Sequence, residues 1–202
     1  SFIRASDDCV CIKAASYPDP AANRNVKNIL VEHCVLWNAE PGNAVEIGYE
    51  VRCDEISDIT FRDLDIVHCQ YEGNQSGGVL TIHNADRAYI HNIVYEDIRV
   101  EDAQEKFIDI KVLDSKYSLD RSRGRVEDIF FRNIEILNGN FPVSIIRGFE
   151  MHTEMSRPQN IHFDNVVVLG EHINSPSDLH MVVELSNDIW FNGKVHVKRN
   201  PF

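Results

Sequence analysis

Basic residues are in short supply in this 202-residue chain: 20 Lys and Arg stand against 32 Asp and Glu, for a net charge of −12. A protein that grips a polyanion along a groove presents clustered Lys and Arg. The one cluster here is Arg121-Ser122-Arg123-Gly124-Arg125, within a polar stretch, so nucleic acid and polyuronate are disfavoured as partners. No apolar run approaches the roughly 20 residues that a membrane-spanning helix needs, and no membrane partner is expected. Cysteine is sparse and odd in number: Cys9, Cys11, Cys34, Cys53 and Cys69. Their spacing contains no CxxC pair, which removes the usual zinc and dithiol patterns. Free thiols in or beside a core are the plain reading, with one disulfide between neighbouring units left open. No metal or cofactor is expected. A convincing helical period is missing as well.

What the chain does have is a repeat. A six-residue phrase appears as Asn28-Ile29-Leu30-Val31-Glu32-His33, Asp58-Ile59-Thr60-Phe61-Arg62-Asp63 and Asn92-Ile93-Val94-Tyr95-Glu96-Asp97. It returns as Asp128-Ile129-Phe130-Phe131-Arg132-Asn133, as Asn160-Ile161-His162-Phe163-Asp164-Asn165 and, more weakly, from Asp188 to Gly193. Aligned on the Ile, the intervals are 30, 34, 36, 32 and 28 residues. A repeat of variable length means stacked supersecondary units whose insertions lie in loops.

Within each copy the Ile and the apolar residue two positions later alternate with polar residues, the period of a strand with one buried face. The strands continue through Leu36, Ile66, Val100, Ile136 and Val168, past a short polar residue at His33, Asp63, Asp97, Asn133 or Asn165. Such residues suit a bend, and stacked copies predict a side-chain ladder there. A second strand family lies between the copies, at Cys9–Ile12, Ala44–Ile47, Val79–Ile82, Phe107–Ile110 and Val143–Ile146. Short strands in coils of about 30 residues predict an all-β chain, a right-handed parallel β-helix of about six coils. A leucine-rich repeat is the nearest rival, but its Leu/Asn consensus is absent. Residues 1–202 read as a single β-helix domain, with polar loops at Tyr17–Asn25, Glu72–Gly78, Ser115–Arg125 and Asn174–Asp178. Because the first element already reads as mid-coil, the chain is expected to be the C-terminal part of a longer β-helix. An uncovered first coil would favour self-association through its unpaired edge.

The sharpest chemical signal is Ser6-Asp7-Asp8-Cys9-Val10-Cys11-Ile12-Lys13. Two Asp at a solvated turn are common. Adjacent carboxylates, however, raise the pKa of one partner, which is useful where one carboxyl must donate a proton and another stay ionised. Period-two bookkeeping places Cys11, Glu46, Thr81 and Asp109 in one outward column and Lys13, Gly48, His83 and Lys111 in a second. The candidate catalytic residues are Asp7 and Asp8. The candidate substrate-binding residues are Lys13, Asn43, Glu46, Gly48, Tyr49 and His83, with Gly48 allowing close approach of a sugar and Tyr49 or Trp37 offering a stacking face.

Asp7-Asp8-Cys9-Val10 through Ile12-Lys13, followed by Gly42-Asn43-Ala44-Val45-Glu46-Ile47-Gly48, resembles glycoside hydrolase family 28, the polygalacturonases. The stretch from Trp37-Asn38 through Gly48-Tyr49 to Ile56-Ser57-Asp58-Ile59-Thr60 and Leu64–His68 resembles family 49, the dextranases. The motif resemblance covers about residues 6–85 and implies a pectin-lyase-like solenoid and an inverting hydrolase with three Asp. The polygalacturonase His is Asn43 here, and its Arg-Ile-Lys falls at Thr81-Ile82-His83. Losing both cations removes the charge-assisted contact to a uronate, so the expected substrate is a neutral polysaccharide. The family's third Asp is expected to precede Ser1. In that scheme Asp8 is the acid, and Asp7 with the upstream Asp activates water. A polysaccharide-acting protein is expected to be secreted or periplasmic. The rival is a non-catalytic β-helix that binds carbohydrate or serves as a stalk. A pectate-type lyase would need a Ca²⁺ cluster and a facing Arg that the outward columns do not supply.

Overall fold

The computed structural model describes residues 1–15, 23–70, 77–140, 143–152 and 154–197; most of two expected loops, at residues 17–22 and 72–76, lies outside them. In chain order the strands begin with β1 (Phe2–Ala5), β2 (Val10–Ala14), β3 (Val26–Asn38), β4 (Val45–Val51), β5 (Glu55–Cys69) and β6 (Leu80–Asn84). They continue with β7 (Tyr89–Val100), β8 (Ile108–Val112), β9 (Arg125–Ile136), β10 (Ile145–Arg147), β11 (Phe149–Met151) and β12 (Glu154–Ser156). The last are β13 (Gln159–Val168), β14 (Glu171–His172), β15 (Val182–Glu184), β16 (Asn187–Phe191) and β17 (Lys194–Val197).

Strands β1, β3, β5, β7, β9, β13 and β16 pair in parallel as one sheet, and β2, β4, β6, β8, β10 and β15 pair in parallel as a second. The chain alternates between them, which makes a parallel β-helix of about five turns. That is about one turn fewer than the repeat predicts. After the weak last copy of the phrase, β16 turns back into antiparallel β17, pairing Trp190 with Val195, so the stack closes with a hairpin.

Register follows the repeat. Ile29, Ile59, Ile93, Ile129, Ile161 and Ile189 are successive partners across the long-strand sheet. Phe61, Tyr95, Phe131, Phe163 and Phe191 form a second interior column, with ring centroids 5.0, 4.9, 4.8 and 4.7 Å apart. That spacing is the distance between hydrogen-bonded strands, so each ring inherits its stacking from the backbone ladder. Both columns belong to one continuous core.

The polar end of each phrase bends as expected: His33, Asp63, Asp97, Asn133, Asn165 and Asn192 have φ between 47° and 54°. A second bend lies at the phrase's first residue, where Asn28, Asp58, Asn92, Asp128, Asn160 and Asp188 have φ between 51° and 59°. Asn and Asp are the non-glycine residues that enter this left-handed region most readily, which explains their recurrence at both ends. The corners are laddered from coil to coil. Asn92 Nδ2 donates to Asp58 Oδ1 at 2.5 Å, Asn133 Nδ2 to Asp97 Oδ1 at 3.0 Å and Asn165 Nδ2 to Asn133 Oδ1 at 3.0 Å. All five cysteines are free thiols. Among the described residues no helix is long and apolar enough to cross a membrane.

Candidate functional site

The outward face of the short-strand sheet carries the candidate residues. Strand register puts Cys11, Glu46, Thr81 and Asp109 side by side, and Gly48, His83 and Lys111 in the next column but one. Lys13 falls at a register irregularity between β2 and β4 and swings clear of its column. Asp7 and Asp8 occupy the turn before β2. Gly42, with φ 117°, lets the following coil pack onto that turn, since a Cβ there would lie 2.4 Å from the Asp7 carbonyl carbon. Asn38 Nδ2 donates to the Asp7 carbonyl at 3.0 Å and completes the fixation of the pair.

Asp8 Oδ1 accepts from the Asn43 backbone N–H at 2.9 Å and from Asn43 Nδ2 at 2.7 Å. The same amide nitrogen donates to Glu46 Oε2 at 2.5 Å, and Asn43 Oδ1 accepts from the Gly78 N–H at 2.8 Å. Asn43 thus bridges two carboxyls while its own oxygen is satisfied by the next coil. Asp8, Cys11 and Glu46 bring one side-chain atom each within 4.8 Å of the others. Burial, reinforced by Asp8 and Glu46, pushes the Cys11 thiol well above its ordinary value, and its Sγ donates to the Gly48 carbonyl at 3.4 Å. Cys11 is thus held as a thiol that donates to the next coil, beside the two carboxyls that Asn43 bridges.

Glu46 is buried, and burial is the largest cause raising its pKa; His83 counteracts and Asp8 adds to the rise. His83, fully buried on β6, lies with Nδ1 2.9 Å from Glu46 Oε1 and Nε2 3.5 Å from Asp109 Oδ2. Burial alone would lower the His83 pKa, but Asp109 and Glu46 outweigh it and raise it to about 9. Asp109 is driven the other way: burial opposes its charge, yet His83 and Lys111 hold its pKa below the usual range. Lys111 Nζ donates to Asp109 Oδ2 at 2.8 Å, and Lys106 Nζ stands 3.6 Å from the same oxygen.

A pocket of about 720 Å³ opens over this cluster. Asp7, Asp8, Lys13, Asn43, Glu46 and Tyr49 all line it, with Glu50, Asp114, Lys116 and Tyr117 among the walls. Two of the candidate residues do not reach it. Gly48 has φ 135°, and a Cβ there would sit 2.3 Å from the His83 carbonyl oxygen, so contact between two coils accounts for this glycine. His83 lies beneath Tyr49, ring centroids 4.5 Å apart. Lys13 is occupied by Glu50 at 2.8 Å. Trp37 packs elsewhere, between Arg4 and His68.

Sequence reasoning did not find the wall opposite the carboxylates. Tyr117 approaches Tyr49 with centroids 5.4 Å apart, carried by the loop after β8. That loop is pinned by buried Asp86, whose Oδ1 accepts from the Leu119 and Asp120 N–H groups at 2.7 Å each. Asp120 in turn accepts from Arg52 at 2.8 Å and Arg87 at 2.9 Å. No local pattern advertises these contacts, because Asp86 and its partners are more than 30 residues apart.

Comparison with protein-family profiles, with curated proteins and with solved structures finds no match to this chain.

Proposed function

We propose that this β-helix is a glycoside hydrolase of the polygalacturonase- and dextranase-like kind, cleaving a neutral polysaccharide with inversion. The observation that carries the reading is the Asp8–Asn43–Glu46 bridge on the floor of the pocket, with Asp7 exposed beside it. Burial raises the Glu46 pKa and the neighbouring Asp8 carboxylate adds to the rise, so Glu46 is a carboxyl that holds its proton readily. Asp8, the more open of the two, is the group placed to deliver it to a glycosidic oxygen. Their oxygens, within 4.8 Å, leave too little room for a water. An inverting pair needs roughly 6.5–9.5 Å, so water activation falls to Asp7.

Substrate preference follows from the same walls. Five carboxylates and two lysines line the pocket, an environment that repels a uronate and tolerates an uncharged sugar. Asn43 is an uncharged donor to both carboxyls where the polygalacturonase pattern has a His. Tyr49 and Tyr117 present aromatic surface to a pyranose.

The test is anomer-resolved NMR during hydrolysis of a neutral-glycan panel including dextran. The first product should show inverted configuration, and Asp7→Asn and Asp8→Asn should each lower kcat by about 10²–10⁴-fold. Retention, or full activity in both variants, would remove this mechanism. Glycan binding without hydrolysis would leave the carbohydrate-binding module in its place.

A further inference from the structure

The pocket's carboxyl pair does not end at Glu46. Behind it runs a continuous line of charged and polar side chains across four coils: Asp8, Asn43 and Glu46, His83, then Asp109 and Lys111. Glu46, His83, Asp109 and Lys111 are all buried, and a buried ionic chain is costly unless each charge is met.

The geometry points to His83 as a positioning residue, clamped between Glu46 and Asp109, that fixes Glu46 and sets how strongly the Glu46 carboxyl holds a proton. This rests on the hydrolase reading above for its consequence, though the clamp is a property of the folded chain alone. Both ring nitrogens of His83 face carboxylate oxygens. A neutral imidazole has one N–H and would aim a lone pair at one of them, whereas the cation turns an N–H to both: Nδ1 is hydrogen-bonded to Glu46 at 2.9 Å, and Nε2, without a hydrogen-bond partner among the described residues, meets Asp109 as an ion pair at 3.5 Å. With Oε1 of Glu46 taken by His83, Oε2 is the oxygen left for Asn43 and the pocket.

Among the described residues, the charged groups that meet the ring belong to the same scheme. Strand β4 presents Glu46, together with the Tyr49 ring stacked on the imidazole. Strand β8 presents Asp109, itself neutralised by Lys111 and approached by Lys106. The second cation matters: without Lys111, Asp109 would be free to draw the His83 proton away from Glu46.

Two measurements test the clamp, the first without any glycan. Side-chain ¹⁵N and ¹³C NMR on the intact chain should find His83 protonated at both nitrogens at neutral pH. Its titration should move down by about one unit or more in Asp109→Asn. The Glu46 carboxyl should titrate higher in His83→Gln, because the cation opposing its proton is gone. In the second, rates on dextran, the alkaline limb of the kcat profile should move to higher pH in His83→Gln, with KM little changed. A purely structural role would lower activity and stability without moving that limb. Asp109→Asn, which keeps the imidazole, serves if His83→Gln fails to fold. A His83 neutral at pH 7, or an unshifted Glu46 titration, would overturn the clamp. A wild type inert toward every glycan sinks the hydrolase reading, and the two NMR titrations still decide the clamp.

Discussion

Tyr95 is the one oxygen-bearing ring in the aromatic column, stacked between Phe61 at 5.0 Å and Phe131 at 4.9 Å. Its hydroxyl is fully buried and, among the described residues, has no hydrogen-bond partner. Burial, with a smaller contribution from Glu46, raises its pKa, so at ordinary pH it is a neutral phenol in an apolar stack. A buried unsatisfied polar group costs roughly 1–3 kcal/mol. Tyr95→Phe removes that cost and keeps both stacking contacts. The lost oxygen leaves a void of at most ~15 Å³, or ~0.4 kcal/mol at ~24 cal/mol per Å³. The variant should therefore be more stable by about 1 kcal/mol, or ~2–4 °C in Tm for a chain of this size. The reciprocal change, Phe131→Tyr, places a hydroxyl in the same column one coil on and should lose at least about 1 kcal/mol. Urea and thermal midpoints of the three proteins measured side by side decide the matter. A Tyr95→Phe protein less stable than wild type by 1 kcal/mol or more would show that the hydroxyl holds a partner, and the reasoning would fail.

Ile93→Ala, in the middle of the isoleucine column, should cost ~2–5 kcal/mol by urea denaturation, and a loss below 1 kcal/mol would argue against its burial. Gly48→Ala should destabilise by more than about 1 kcal/mol, because a positive φ and the close approach of the His83 carbonyl both exclude a Cβ; an unchanged Tm would refute that packing. The His83 pKa is raised on folding from the ordinary 6.5 to about 9. Its stabilisation is therefore complete below pH 6.5 and lost as pH rises through about 9. Stability of the wild type relative to His83→Gln should fall across that window, by at most about 3 kcal/mol at ~1.36 kcal/mol per pKa unit. A pH-independent difference would contradict it.

Much of the β-helix is legible in the sequence because a solenoid is quasi-one-dimensional. Ile29 and Ile59 meet for the same local reason as Ile129 and Ile161, so one periodicity predicts every register pair along the long sheet. The bend at His33, Asp63 and their equivalents is legible from residue type. The equivalent bend at Asn28, Asp58 and Asn92 is carried by the same chemistry, yet it sits at the start of the phrase, where a strand onset explains a polar residue equally well. The end of the stack is less legible, because the last copy of the phrase keeps the Ile and the aromatic, and only the turn at Asn192-Gly193 sends the chain back on itself.

The site divides in the same way. Period two places Glu46, Thr81 and Asp109 on an outward face; strand pairing puts them in one column, and their apolar strand neighbours are the ones in the core. Outward did not mean exposed. Glu46 is 2% exposed and Asp109 0%, so a face expected to be an open cleft wall is instead a covered ionic chain. Alternation along a strand determines which side of the sheet a residue takes, since successive Cβ atoms must point to opposite faces. Whether that side is wet depends on loops from other coils, such as the Tyr117 loop pinned by Asp86, and these meet it only once the coils have stacked. Sequence alone determined the repeat, the two columns and the neighbourhood of Asp7, Asp8 and Glu46. Tertiary structure decided that Asp7 and Asp8 open to solvent while Glu46, on the pocket floor, is buried against His83, because burial is a property of the assembled surface and not of any one strand.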